Sequence, residues 1–189
     1  SYDRWVISEE SPMRIVAVDR VTGNKVSIPR EALGGGLRRP SGTSSINVSK
    51  IHDYIITSKF PEIDKLVKNP RVVRTWKKYI DKRKAHLLLD ERFDISAPGT
   101  SALAFYSDDP IVGAGTMCSF KGMSKPDAKL LSLWLNSTMN LLQIILMRKE
   151  TRGAWMRIHH YMFDELSIID PTRLDEGQKK LLFDAFERY

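Results

Sequence analysis

Three short runs of β-prone residues lie within the first sixty positions. Residues 13–19 and 25–28 are rich in β-branched side chains, and the Thr-Gly-Asn at 22–24 between them is typical of a hairpin turn. Residues 51–57 contain several isoleucines and form a third strand candidate. The pattern therefore predicts that residues 1–60 are mainly β-structure.

A glycine-rich segment interrupts this β-structure. The glycines at 34–36 and 42 favour a flexible loop over a regular element, because glycine tolerates irregular backbone conformations. Arginine and hydroxyl side chains in the same segment suit a loop that contacts a phosphate backbone. The candidate residues here are Arg38, Arg39, Ser41 and Thr43.

A basic amphipathic helix is predicted over residues 65–86. Asn69 and Pro70 are suited to the cap and the first helical position. In this stretch nine basic residues stand against one acid, so the outer face is cationic. Lys77 and Lys78 are the candidate phosphate contacts, and a merely solvated face is the alternative. The apolar face comprises Val72, Val73, Trp76, Tyr79 and Ile80.

The second half of the chain begins with two strand candidates and a long helix. Residues 101–106 and 111–120 are β-prone, and the Ser-Asp-Asp-Pro at 107–110 predicts the turn of a hairpin. Ser124 and Asp127 form a capping box, so a helix is expected to begin directly after Ser124.

This helix is predicted to run to about residue 149 and to be buried. Its polar side chains form one narrow stripe, so the rest of its circumference is apolar and fits the core of the fold. A last helix is expected over residues 176–189, again with apolar side chains on one face. The polar stripe consists of Ser132, Asn136, Asn140 and Gln143.

These elements predict an α+β fold in which sheet segments pack around the long buried helix. The chain has 189 residues, which fits one domain or two small ones, and 42% of them are hydrophobic, enough to fill a core. We expect no membrane partner and a cytoplasmic protein, because neither a bilayer-spanning run nor a signal pattern is found. Cys118 is the single cysteine, which excludes a disulfide framework and a thiolate zinc cluster.

The net charge of +7 favours a polyanionic partner, and a second basic cluster follows the long helix. Within residues 148–160, arginine can read guanine edges bidentately, glycine permits close approach, and an aromatic ring can stack or wedge. The cluster therefore predicts DNA base recognition. The candidate residues are Arg148, Arg152, Gly153, Trp155, Arg157 and His159, with Lys121 as a further basic candidate.

Motifs that carry catalytic chemistry are scarce. The Gly-x-Gly at 113–115 lacks the third glycine of a dinucleotide fingerprint, and the glycines at 34–36 lack the Gly-Lys-Ser/Thr of a phosphate loop. One enzymatic alternative is a Mg²⁺-dependent nuclease, since Asp109, Asp127 and Lys129 follow an acid, acid-x-lysine order. A role for Asp127 as a helix-capping acid competes with this interpretation.

Residues 124–171 resemble the C-terminal target-recognition domain of adenine-specific DNA methyltransferases of restriction–modification systems. In that family a helix reading like residues 131–140 carries a Leu-Asn-Ser, here at 135–137. A basic glycine-containing segment, a strand and a hydrophobic closing motif follow, the last at 162–171. Residues 28–33 also resemble the opening of such domains.

The resemblance implies that residues 1–189 form a DNA-recognition domain whose partner is double-stranded DNA. The family's catalytic Asn/Asp-Pro-Pro-Tyr/Phe and its S-adenosylmethionine glycine motif are missing from the sequence. The chain would then be a non-catalytic half without its own cofactor, with the methyltransferase domain and S-adenosylmethionine upstream. A basic domain that binds an acidic protein is the remaining alternative. Residues placed near DNA by the resemblance are Arg38, Arg39, Arg152, Gly153, Trp155, Arg157 and His159.

Overall fold

The computed structural model describes residues 4–38, 40, 43–50, 53–66, 70–94, 96, 103–113, 115–147 and 155–188. Over these residues it contains both helices and sheets, which confirms the α+β prediction. The strands are β1 (Trp5–Glu10), β2 (Arg14–Asp19), β3 (Lys25–Pro29), β4 (Leu33–Leu37), β5 (Asp53–Ile56), β6 (Lys84–Asp90), β7 (Arg92–Asp94), β8 (Ala104–Gly113), β9 (Met117–Phe120) and β10 (Trp155–Arg157). The helices are α1 (Ile63–Leu66), α2 (Pro70–Arg83), α3 (Lys125–Leu135), α4 (Thr138–Leu146) and α5 (Glu176–Phe186).

The chain divides into two units. The first comprises Ser1–Gly35 and Tyr54–Lys82, and the second comprises Gly36–Asp53 and Arg83–Tyr189. The chain passes between the units three times, within β4, within β5 and at the end of α2.

In the first unit, β1, β2 and β3 form an antiparallel meander. The predicted strands at 13–19 and 25–28 are confirmed as β2 and β3, joined through a turn in which Gly23 has φ +72°. Only a residue without a Cβ adopts this conformation at little cost. Ile15, Val26 and Ile28 point inward from the two strands and pack with α1 and α2 side chains.

The glycines at 34–36 lie in a strand, so the prediction of a flexible loop there is wrong. Strand β4 pairs in parallel with β8, with Gly36 opposite Val112. Gly34 also needs its missing side chain, because a Cβ there would lie 2.6 Å from Cγ2 of Thr57. The glycines therefore serve close packing in a sheet, a pattern that local sequence does not distinguish from a loop.

The predicted helix over 65–86 is replaced by two helices and the start of a strand. Helix α2 ends at Arg83, and β6 begins at Lys84 because the following residues form a fully buried central strand. Ile80 is buried and Trp76 packs against the core of the first unit, as the predicted apolar face requires.

The second unit is built on β6, which pairs antiparallel with β8 on one side and β9 on the other. Residues 107–110 are not the turn of a hairpin, so that prediction is wrong. They form a wide bulge within the continuous strand β8, opposite His86 alone, whose Nδ1 lies 2.9 Å from the carbonyl oxygen of Ser107.

The predicted long buried helix is two helices, α3 and α4, broken at Asn136 and Ser137. Ser124 caps α3 as predicted, since its Oγ accepts a hydrogen bond from the Asp127 N–H at 3.2 Å. Burial along α4 is one-sided, and the expectation of a helix buried throughout is wrong for this half. Its exposed apolar side chains are Met139, Leu142, Ile145 and Leu146.

Helices α3 and α5 cover the sheet of the second unit. Phe186 of α5 is buried and meets the Tyr106 ring edge-on, with centroids 5.3 Å apart, so the predicted last helix is confirmed as a core element. None of the helices in the described part of the chain has the length and apolar character needed to cross a membrane.

Candidate nucleic-acid interface

A two-stranded antiparallel ribbon presents the most distinctive charged surface of the second unit. It consists of β7 and β10, here called the arginine ribbon. The register places Arg157 directly opposite Arg92 and Met156 opposite Phe93. Because side chains alternate between the two faces of a strand, the arginines share one face and the apolar pair shares the other.

The inner face of the arginine ribbon is anchored in the core. Phe93 is 5% exposed and Met156 is 2% exposed, and both belong to the main hydrophobic cluster of the second unit. Ile158, which follows the ribbon, is also buried and donates its backbone N–H to the Glu91 carbonyl at 2.9 Å. These contacts fix the position of the backbone on both sides of the arginine pair.

The outer face carries the side chains of Arg92 and Arg157, with the Asp94 carboxylate two residues further along on the same side of β7. Arg92 and Arg157 are both exposed, and no described side chain forms an ion pair with either. Side chains directly opposite across an antiparallel pair have Cβ atoms about 4.5–5.5 Å apart, and like charges in this position destabilise the pair. An anionic group bound on this face would remove that repulsion.

A buried carboxylate holds the turn into β7. Asp90 is 8% exposed, and its Oδ1 accepts a hydrogen bond from the backbone N–H of Arg92 at 3.2 Å. Burial raises the pKa of Asp90 to about 6, an effect that the hydrogen bonds from Arg92 and Thr116 oppose. Asp90 therefore positions the backbone of Arg92 without neutralising its side chain.

A stacked pair of rings follows Arg157 along the chain. The imidazole of His159 and the ring of Tyr161 are nearly parallel, with centroids 5.6 Å apart and an interplanar angle of 11°. Both residues are exposed, whereas Ile158 and Met162 are buried. Of the predicted residues, Arg157 and His159 are therefore both exposed, and His159 is stacked on Tyr161, which the sequence did not single out.

Helix α2 of the first unit, here called the cationic helix, presents a different charged surface. Arg71, Lys78 and Lys82 lie on the side of the helix opposite the buried Ile80, whereas Lys77, three residues before Ile80, lies beside the apolar face. No described side chain forms an ion pair with Lys77 or Lys78. The exposed cations whose side chains are described are Arg71, Lys77, Lys78 and Lys82.

The remaining predicted contacts are dispersed over the second unit. Arg38 is exposed, and its backbone N–H donates to Asp53 Oδ2 at 3.1 Å. Thr43 is half-buried and Lys121 is exposed after β9. Among described residues, no hydrogen bond or ion pair joins these three to Arg157. Arg39, Ser41, Arg148, Arg152 and Gly153 lie outside the described residues, as does the side chain of Trp155.

Arg92 was missed by sequence reasoning. It follows the buried strand β6 in a three-residue strand, too short for a hydrophobic period to show. Its significance comes only from its pairing with Arg157, which is distant in sequence. The alternation of charged and apolar residues at 92–94 was the one local signal.

Two of the three residues of the nuclease alternative, Asp127 and Lys129, have side chains that contact other residues of the fold. The carboxylate of Asp127 accepts a hydrogen bond from Ser124 Oγ at 2.6 Å. The Nζ of Lys129 lies 2.8 Å from the Glu187 carboxylate and 4.9 Å from the centroid of the Phe186 ring. Asp109 is exposed in the β8 bulge. No cluster of three metal-ligating side chains exists in the described part of the chain.

The Leu-Asn-Ser at 135–137 also has an architectural role. The Oδ1 of Asn136 accepts hydrogen bonds from the N–H groups of Leu103 and Ala104 at 2.6 and 3.1 Å, and its Nδ2 donates to the Ala104 carbonyl at 2.7 Å. Ser137 caps α4 by accepting from the Asn140 N–H. The motif therefore ends one helix, starts the next and secures the beginning of β8.

Comparison with known proteins gives one structural likeness. The chain is similar to the crystal structure of BpuSI, a type IIG restriction endonuclease, with a TM-score of 0.66 and 16% sequence identity. The likeness covers 86% of this chain and 22% of that chain, so this chain spans about a fifth of the length of the endonuclease. It shows a shared fold. No family model matches the chain, and no curated protein matches its sequence.

Proposed function

We propose that this chain is a sequence-specific duplex DNA recognition module of an adenine-specific DNA methyltransferase of a restriction–modification system. The observation that carries the proposal is the likeness to a type IIG restriction endonuclease over 86% of the chain. The resemblance of residues 124–171 to target-recognition domains supports the same class from sequence. Neither the family nor the fold alone specifies the function, so the charged surfaces matter.

The two cationic surfaces suit the two components of DNA binding. Phosphate contacts give affinity that does not depend on sequence, and Lys77 and Lys78 on the cationic helix suit this role. Contacts to base edges give specificity and require a well-positioned donor, and Arg157 on the anchored arginine ribbon suits that role. His159, exposed two residues after Arg157 and stacked on Tyr161, suits a further DNA contact by stacking or hydrogen bonding.

In this proposal the chain itself does not catalyse a reaction. Methyl transfer and S-adenosylmethionine binding belong to a separate upstream domain of a cytoplasmic parent enzyme. Chemistry on an adenine requires the base to leave the stack, so that domain would receive a flipped adenine while this module holds the flanking sequence.

Selection of bound duplexes from a randomised DNA library at moderate salt tests the proposal directly. We expect an enriched motif that contains adenine. A second measurement compares the affinity of the chain for the selected duplex with its affinity for a scrambled duplex of equal length. The selected duplex should bind at least about 10³-fold more tightly. Binding with no enriched motif would contradict sequence-specific recognition and favour a basic protein-interaction domain.

The nuclease alternative gives a distinct outcome in the same assay. Cleavage of the duplexes that requires Mg²⁺ and is abolished by Asp127→Asn would overturn the non-catalytic assignment. Because Asp127 also caps α3, the Asp127→Asn variant needs a circular-dichroism melting curve beside it. We expect no cleavage by the unaltered chain with or without Mg²⁺.

A further inference from the structure

Arg92 and Arg157 occupy one rung of the arginine ribbon. They are directly opposite, both exposed, and without an ion-pair partner among the described residues. A guanidinium group offers donors in a fixed planar fork, whereas a lysine offers a mobile point charge. Two guanidinium groups side by side can donate hydrogen bonds to two neighbouring planar groups, each of which presents a pair of acceptor atoms.

The support beneath the pair distinguishes it from a general phosphate-binding surface. Phe93 and Met156 form the next rung of the ribbon, with side chains on the opposite face that are nearly fully buried, and Asp90 accepts a hydrogen bond from the Arg92 backbone N–H. Non-specific phosphate contacts do not need this rigidity, because the charge alone supplies the attraction. Base readout does need it, since a bidentate contact requires a positioned donor.

The spacing fits adjacent base pairs. Opposite residues across the ribbon have Cβ atoms about 4.5–5.5 Å apart, and neighbouring base pairs are stacked about 3.4 Å apart along the DNA axis. The major groove admits a two-stranded β-ribbon, and each guanine presents its O6 and N7 acceptors there. Two extended arginine side chains from one rung therefore reach two successive guanines rather than one.

We propose that Arg92 is a second base-reading residue and that Arg92 and Arg157 together recognise two adjacent G·C pairs in the major groove. This inference rests on the proposed function and specifies part of its substrate. It predicts that the recognised DNA sequence contains, beside its adenine, two neighbouring G·C pairs.

The test compares duplexes selected from a randomised library by the unaltered chain, by Arg92→Ala and by Arg92→Lys. The unaltered chain should select two adjacent G·C pairs, and Arg92→Ala should lose the preference at one of them by about 5- to 150-fold while keeping the rest of the motif. Arg92→Lys should retain general affinity and weaken the same preference less than Arg92→Ala does, because the charge remains and a lysine ammonium still donates to guanine O6 and N7 without the rigid fork. Arg173→Ala is the matched control, since Arg173 is 86% exposed and lies outside the arginine ribbon.

Three results would overturn the inference and leave the proposed function standing: a motif without adjacent G·C pairs, an Arg92→Ala variant that selects the unaltered motif, and an Arg92→Ala variant that weakens every sequence alike. The last result would identify Arg92 as a phosphate contact. If the unaltered chain selects no motif, the proposed function and this inference fail together.

Discussion

The arginine ribbon and the cationic helix are both exposed and basic, yet they are built differently. The arginine ribbon has two guanidinium groups at one rung, and the next rung is the buried pair of Phe93 and Met156 on the opposite face. The cationic helix spreads exposed lysines and arginines along its length, with Ile80 as its buried anchor. The first arrangement fixes a few donors in position, and the second distributes charge along a line.

This difference separates specificity from affinity. A fixed donor distinguishes one acceptor pattern from another, because a mismatched base leaves its hydrogen bonds unmade. A distributed charge attracts any phosphate backbone and releases counterions whatever the sequence. The two surfaces should therefore respond differently to the same kind of substitution, and the following predictions test that contrast from the largest expected effect to the smallest.

Removing the anchor of the arginine ribbon should have the largest effect. Phe93→Ala leaves a cavity in the main core cluster of the second unit, so we expect the free energy of unfolding to fall by about 3–5 kcal/mol. Denaturant titration followed by circular dichroism measures this change. Lys78→Ala on the cationic helix is the control and should change stability by less than about 0.5 kcal/mol. A loss below 1 kcal/mol for Phe93→Ala would mean that the arginine ribbon is not anchored through this side chain.

The buried carboxylate of Asp90, which holds the start of the arginine ribbon, should make stability depend on pH. The pKa of Asp90 is raised to about 6 by burial, whereas the unfolded chain has a value near 3.9. Between these values the folded state holds the proton and the unfolded state does not, so the free energy of unfolding falls as the pH rises. Asp90→Asn keeps an oxygen acceptor for the Arg92 N–H and removes the ionisation. We expect the variant to gain about 1–2 kcal/mol relative to the unaltered chain between pH 5 and pH 8.

Measuring between pH 5 and pH 8 separates the titration of Asp90 from that of Asp19, a buried acid of the first unit. Asp19 is paired with Arg4, and the Arg4 hydrogen bond lowers the pKa of Asp19. The stability that Asp19 contributes is therefore present above about pH 4 and is lost only as the pH falls further. Its pH dependence is opposite in sign to that of Asp90. A constant difference between Asp90→Asn and the unaltered chain from pH 5 to pH 8 would contradict a raised pKa at Asp90.

The elements of the fold that could be predicted from sequence are those whose conformation is determined by residues a few positions away in the chain. The hairpin of β2 and β3 was predicted because Gly23 supplies the turn conformation locally. The beginning of α3 was predicted because Ser124 and Asp127 cap it within one helical turn. Both signals require no knowledge of the rest of the structure.

The parts that were predicted wrongly depend on distant partners. The segment around Gly34 is a strand because β4 pairs with the distant β8, and position 34 needs glycine because Thr57 packs where a Cβ would lie. The break between α3 and α4 is fixed by Asn136, whose amide bonds to Leu103 and Ala104 at the start of β8. At the candidate interface Arg157 and the exposed lysines were predicted from composition, whereas Arg92 was not, because only strand pairing gives it a partner.

Replacing Arg157 tests the specificity side of the contrast. Arg157→Ala should lose about 1–3 kcal/mol of discrimination at one base position while affinity for scrambled duplexes changes little. Fluorescence anisotropy with the selected duplex and its single-base variants measures this loss. Equal weakening of every duplex would contradict base reading by Arg157 and would make the arginine ribbon equivalent to the cationic helix.

Replacing Lys77 and Lys78 together tests the affinity side. Lys77→Gln/Lys78→Gln removes two positive charges with little loss of side-chain volume, so selected and scrambled duplexes should weaken by the same factor. If each lysine contacts one phosphate, the slope of log K against log salt should become shallower by about 0.9 for each. Affinity measured at several salt concentrations gives both quantities. The control is Lys180→Gln on α5, which also removes an exposed charge and should leave the slope unchanged. An unchanged slope in the double variant would instead mean that the cationic helix is a solvated surface, and specificity and affinity would then both have to come from the second unit.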